Sequence, residues 1–206
     1  MLFRPIAYAV AAAALLTAAP AFAQLPGATQ VPAQVKAGSY VLDASHGKIS
    51  WSVKHMGFST YVGQFTGVAA TLDIDPAKAA DAKLDVTIDT NSVGTLNAKL
   101  DDHLKKPDFL DTAKYPTATF KSTALKLTGE RTADVTGDLT LHGVTTPVVM
   151  KVTFNQAGVA PTDKKYTLGF DGIATIKRSE FGITTYVPMI SDEVTLYLEA
   201  EFKAVP

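Results

Sequence analysis

The 206-residue sequence has no cysteine. That removes disulfides, thiolate catalysis and every cysteine-ligated metal site together. Its four histidines, His46, His55, His103 and His142, stand singly, with no H-x-H or H-x-x-x-H spacing, and His46 and His142 each precede a glycine in turn-like sequence. No histidine metal site is therefore expected. There is no phosphate loop, dinucleotide fingerprint or G-x-S-x-G elbow; "GITTY" and "GVTTP" hold no nucleophile in such a setting. Charge of one sign is also missing. Residues 24–206 carry 18 basic and 20 acidic side chains, a formal −2, which gives no electrostatic reason for a nucleic-acid partner or an anionic surface. Beyond the first two dozen residues no apolar run reaches membrane-spanning length.

What is present begins with "MLFRPIAYAVAAAALLTAAPAFA". Arg4, an apolar run too short to span a bilayer and Ala21-Phe22-Ala23 form the three regions of an export signal, cut after Ala23. This predicts a mature chain in the periplasm. Residues 24–38, with two prolines, two glycines and no periodicity, read as a flexible lead-in. The remainder, 39–206, reads as one domain, long enough to bury a core without disulfides.

Within that domain the dominant signal has period two, the mark of strands with one apolar face. Ile49, Trp51 and Val53 alternate with Ser50, Ser52 and Lys54; Leu84, Val86 and Ile88 alternate with Lys83, Asp85 and Thr87. The same pattern recurs around 135–141, 148–154, 168–176 and 194–202. With 62–74, 117–127 and a short piece near Tyr40, about eight strands are expected. One-sided alternation favours an antiparallel sheet, and eight such strands favour closure into a barrel, which removes exposed edges. "TLNAKLDDHLKKPDF" breaks the pattern. Leu96, Leu100 and Leu104 lie four apart, predicting one short amphipathic helix capped by Thr95 and ended by Pro107, between strands three and four. Small residues share the inward parity with large ones: Ala70, Ala118, Ala124, Gly137, Gly172, Ala174 and Ala200. They either accommodate coiling or leave space.

Five polar positions stand out. His55 shares the parity of Trp51 and Val53, so it points inward near a strand end, either as a ligand contact or as a structural histidine. Arg178 follows Ile176 by two and also points inward. A buried cation needs a partner, and Asp192 and Glu193 are the nearest candidates; the alternative is a head-group contact, which the guanidinium fork suits. Asp101 and Asp102 precede Lys105 and Lys106 by four, as ordinary helix-surface pairs do, which disfavours an acid–base role. His103 borders the apolar stripe of the helix.

The blocks "YVLDASHGKISWSVKHMGFSTYVGQF", "LDDHLKKPDFLDTAKYPTATF", "GDLTLHGVTTPV", "IKRSEFG" and "SDEVTLYLEAEF", in that order, resemble the YceI-like family of periplasmic proteins over about residues 38–203. Trp51 stands where many relatives have phenylalanine. The resemblance implies an all-β, lipocalin-like, eight-stranded antiparallel barrel around an apolar pore. It also implies a long-chain amphiphile as ligand: a polyisoprenoid, an isoprenoid quinone or a fatty-acid amide. The candidates for the pore and rim are Trp51, Val53, His55, Phe58, Tyr61, Phe65, Leu104, Phe109, Ala118, Phe120, Phe170 and Ala174, of which Phe58, Tyr61 and Phe65 fit the rim or simply the core. His55, His103 and Arg178 are head-group candidates. No catalytic residue, metal or covalent cofactor is expected. Transient contact with a membrane or membrane protein, and a homodimer, are compatible with such a carrier. The rival readings are a stress-protective scavenger of toxic amphiphiles and an isoprenoid-modifying enzyme, the latter needing two of His55, His103 and the aspartates to converge.

Overall fold

A computed structural model describes residues 25–205; the expected export signal lies outside them. Eleven strands follow in chain order: β1 Gly38–Leu42, β2 Lys48–His55, β3 Ser59–Phe65, β4 Val68–Ile74, β5 Lys83–Asp89, β6 Val93–Gly94, β7 Thr117–Leu127, β8 Thr132–Leu141, β9 Val144–Val159, β10 Tyr166–Lys177 and β11 Glu193–Ala204. Among the described residues one α-helix, α1, spans Ala98–Leu104 between β6 and β7.

All pairings are antiparallel and belong to one sheet. β11 pairs on one flank with β10 and on the other with two successive segments, β1 at Phe202–Ala204 and β2 at Thr195–Glu199. β1 pairs onward with β4, and β2 with β3. β1 with β2, β3 with β4, and β5 with β6 therefore act as three interrupted staves. With β7 to β11 they make eight, closed where β1 meets β11. The stretch expected as one strand, 62–74, is broken at Thr66-Gly67. Asp89 donates its N–H to the Gly67 carbonyl there, and a Cβ on Gly67 would crowd Asp89 and Ser92. The break separates β3, which pairs with β2 and β6, from β4, which pairs with β1 and β5.

A β-bulge between Ser122 and Ala124 shifts the register of β7 against β8. An extra residue inverts parity beyond it, so Ala124 is exposed and Leu125 turns inward. Ala124 is thus not among the interior small residues. The helix also differs from expectation. Its N-cap is Asn97, whose side chain accepts from Leu100 N–H at 3.3 Å. Thr95 instead donates through N–H and hydroxyl to Asp101 Oδ1, at 2.7 and 2.6 Å, and Leu96 lies outside the helix with φ 62°.

One end of the barrel holds a buried cluster of Val35, Tyr40, Leu72, Phe154, Ala157, Leu168 and Phe202. The segment expected as a flexible lead-in is seated there. Thr29 and Ala157 exchange two backbone hydrogen bonds of 2.8 Å, Gln30 accepts from Arg131, and Val35 is buried. The physical reason is its spacing: the Pro32–Gln34 turn aims Val35 at the barrel end, a tertiary fit that periodicity does not reveal.

Candidate functional site

The barrel encloses a cavity of about 730 Å³, within the range of roughly 300–1,000 Å³ found for single-ligand pockets. Its wall is the inward parity of nearly every strand. Leu84, Val86, Leu125, Val152, Leu196 and Leu198 all face inward yet are only partly buried, because they border open space instead of opposing side chains. Ala70, Ala118 and Ala174 are buried and widen the lumen where larger residues would fill it. The interior is therefore not packed shut.

Three segments surround the end opposite the Tyr40 cluster. The β2–β3 hairpin contributes His55, Ser59 and Tyr61; α1 and the turn after it contribute Leu100, His103, Leu104, Phe109 and Leu110; the loop 182–192 contributes Ile183, Tyr186 and Ile190. They are tied together. Met56 N–H donates to the Met189 carbonyl at 2.7 Å, Ser191 N–H to the Lys54 carbonyl at 2.9 Å, and the Phe109 ring lies 6.2 Å from Tyr186. Ser59 and Tyr186 line the cavity and are exposed as well, which marks this end as the mouth.

Of the residues expected at the pore and rim, Trp51, Val53, His55, Tyr61, Phe65, Leu104, Phe109, Ala118, Phe120, Phe170 and Ala174 line the cavity. Phe58 does not. It sits in the turn between β2 and β3, 88 % exposed, because Met56 and Gly57 both take positive φ and carry the chain past the mouth before it turns back.

The polar candidates separate clearly. His55 reaches the mouth, its ring 6.4 Å from Tyr61. His103 pairs through Nε2 with Asp108 Oδ2 at 3.0 Å and sets its ring edge-on against Phe109 at 5.0 Å. Arg178 is buried, but among the described residues it forms no ion pair with Asp192 or Glu193. Its Nε donates to the Ser191 carbonyl, Nη1 to those of Ile183 and Thr185, and Nη2 to that of Ile190, at 2.8–3.2 Å. The Asp192 carboxylate instead accepts from Ser179 N–H and hydroxyl at 2.8 and 2.7 Å, and those bonds hold its pKa below the ordinary value. Burial pulls the Arg178 guanidinium below its ordinary pKa, opposed by the Asp192 charge. With four of its five N–H groups given to loop carbonyls, Arg178 is a brace for the mouth. Sequence parity found its direction, but backbone carbonyls as partners leave no mark in a sequence. Nor do the helix-surface pairs form: among the described residues no ion pair joins Asp101 or Asp102 to Lys105 or Lys106, and Asp101 holds Thr95 instead.

Trp51 stands directly across from Gly63, and its Nε1–H is buried without a partner. An unmet donor of this kind costs roughly 1–3 kcal/mol. Leu96, Met56 and Tyr186 each hold positive φ, a conformation that costs a side-chain-bearing residue roughly 1–2 kcal/mol. Far from the mouth, Asp43, His46 and Glu201 converge within 4.8 Å, but the Lys203 ammonium already lies 2.7 Å from Asp43.

The sequence profile of the YceI-like domain matches residues 40–202. A UPF0312 protein of Pseudomonas savastanoi pv. phaseolicola is 44 % identical over 174 residues, 84 % of this chain and 88 % of its own. The crystal structure of Burkholderia cenocepacia BcnA superposes with a TM-score of 0.71 at 32 % identity, covering 78 % of this chain and 98 % of that one. A polyisoprenoid-binding domain from Saccharophagus degradans shares the fold, at TM-score 0.62 and 17 % identity over 82 % of this chain and all of its own.

Proposed function

The chain belongs to the YceI-like family, and we propose that it is a binding protein that houses the long apolar chain of an amphiphile in its barrel. The observation that carries this reading is the cavity of about 730 Å³ walled by inward aliphatic and aromatic side chains. The polyisoprenoid-binding neighbour of the same fold supports an isoprenoid as the class of chain.

The energetics suit a carrier. Each methylene withdrawn from water contributes about 0.8 kcal/mol, and a bilayer offers nearly the same gain. Transfer from membrane to barrel is then close to balanced, and loading is reversible. A 30-carbon tail at about 0.3 kcal/mol per heavy atom reaches about 9 kcal/mol against water. The polar end of the cargo lies at the mouth, where His55, Ser59 and Tyr61 offer ring nitrogens and hydroxyls. The amino-terminal sequence reads as an export signal, and export would put the protein between two membranes that hold such molecules.

The test is organic extraction of natively exported protein, with native mass spectrometry of the same sample. The expected result is a mass increment that extraction removes and that matches a lipid or isoprenoid quinone. A protein exported by its own host that carries no such increment, and acquires none from added quinone or polyprenol, would overturn the reading.

A further inference from the structure

We propose that the rim of the mouth is a bilayer-docking surface, which seats the open end of the barrel in the interfacial region of a phospholipid leaflet. The inference rests on the cargo reading above, because the bilayer is where such a cargo resides.

The rim carries large apolar side chains that the fold does not need. Phe58 is 88 % exposed, Met189 55 %, Met56 51 % and Tyr186 50 %. They come from two separate segments that meet beside the opening, the β2–β3 turn and the loop 182–192, with the turn after α1 packed against them. The Met56–Met189 backbone hydrogen bond and the Phe109–Tyr186 ring contact hold the segments together. Exposed apolar surface concentrated in this way marks an interaction site.

A second observation is independent of exposure. Met56 and Tyr186 both occupy the left-handed region, with φ of 51° and 61°. Glycine or asparagine fits that conformation better and would be more soluble. Strained backbone that keeps large apolar tips in solvent points to use.

The tips favour a bilayer over a protein. They stand beside an opening that leads into an apolar cavity, an arrangement suited to a soft apolar phase. Charge does not draw the rim to an anionic surface: segment 97–114 holds Lys99, Lys105, Lys106 and Lys114 against Asp101, Asp102, Asp108 and Asp111. Insertion is therefore apolar and nearly independent of salt. Docking of this kind spares the cargo's tail a passage through water, because the mouth opens directly into acyl chains.

The experiment is flotation of the exported protein with phosphatidylcholine vesicles, comparing the native chain with a Phe58→Ser/Met189→Ser variant; neither residue lines the cavity. The native protein is expected to float, with less than a twofold change between 50 and 500 mM NaCl, and the variant to lose at least tenfold in partitioning. Both should bind a water-soluble short-chain quinone equally, so failure of the pore reading and failure of the docking reading are distinguishable. Phe58→Trp supplies a second measurement should the double variant not fold: lipids brominated near the head group should quench the new indole. Equal flotation of native and variant protein, no flotation, binding that appears only with anionic lipid and fades with salt, or a Phe58→Trp indole untouched by brominated lipid would each overturn the proposal.

Discussion

Trp51 shows how one side chain shapes the lumen. Its indole lies over Gly63 on the neighbouring strand, where any added Cβ would collide with the ring, so the pair fixes where the aromatic wall stands. Ala118 and Ala174 do the opposite and leave volume. Ala118→Trp or Ala174→Trp should place an indole in the cavity instead of in a packed core, so overpacking strain should be small. The expected outcome is a several-fold fall in bound cargo by native mass spectrometry, with a melting temperature within a few degrees of the native protein. Unchanged occupancy would show that the tail does not pass those positions.

At the scale of the element, the loop 182–192 is held by one cation. Four carbonyls of the loop accept from Arg178, and Ser179 with Asp192 clasps its base. Replacing Arg178 leaves buried acceptors unmet, each costing roughly 1–3 kcal/mol. Arg178→Met should therefore lower stability by about 3 kcal/mol or more in denaturant melts and expose 182–192 to proteolysis first. Arg178→Lys should recover only part of the loss, because an ammonium lacks the planar fork. A variant as stable as the native protein would show that the clamp is dispensable. The helix teaches a related lesson. Its leucine spacing revealed its existence, but the start was set by Asn97, a better cap in place than Thr95, whose hydroxyl was drawn to Asp101.

The whole molecule is defined by a seam. β1 meets β11 over only Tyr40–Leu42, and beside that joint Lys203 bridges Asp43 of the β1–β2 loop and Asp163 of the β9–β10 loop. The Lys203 hydrogen bond holds the Asp43 carboxyl well below the usual range and depresses Asp163 too, while both carboxylates raise the Lys203 ammonium. The depressed carboxyls add stability that is full above about pH 4 and is lost as pH falls through their folded values. The raised lysine adds stability that is full below about pH 10.5 and is lost as pH rises beyond it. Lys203→Met should therefore melt lower than the native protein at pH 6–8, with the gap closing below pH 4. A gap that stays constant to pH 2 would refute the linkage.

The period-two alternation, the absence of cysteine and the family blocks together specified eight antiparallel strands, the inward set from Trp51 to His55, the alanines at 118 and 174 and the helix before β7. Those features are local, because parity depends only on neighbouring residues. The bulge that turned Ala124 outward, the turn that carried Phe58 beyond the mouth and the seating of Val35 depended on contacts between segments far apart in the chain. So did the width of the lumen. Whether inward side chains meet or leave space is set by the radius at which the sheet closes, and that radius belongs to the assembled barrel, not to any stretch of sequence.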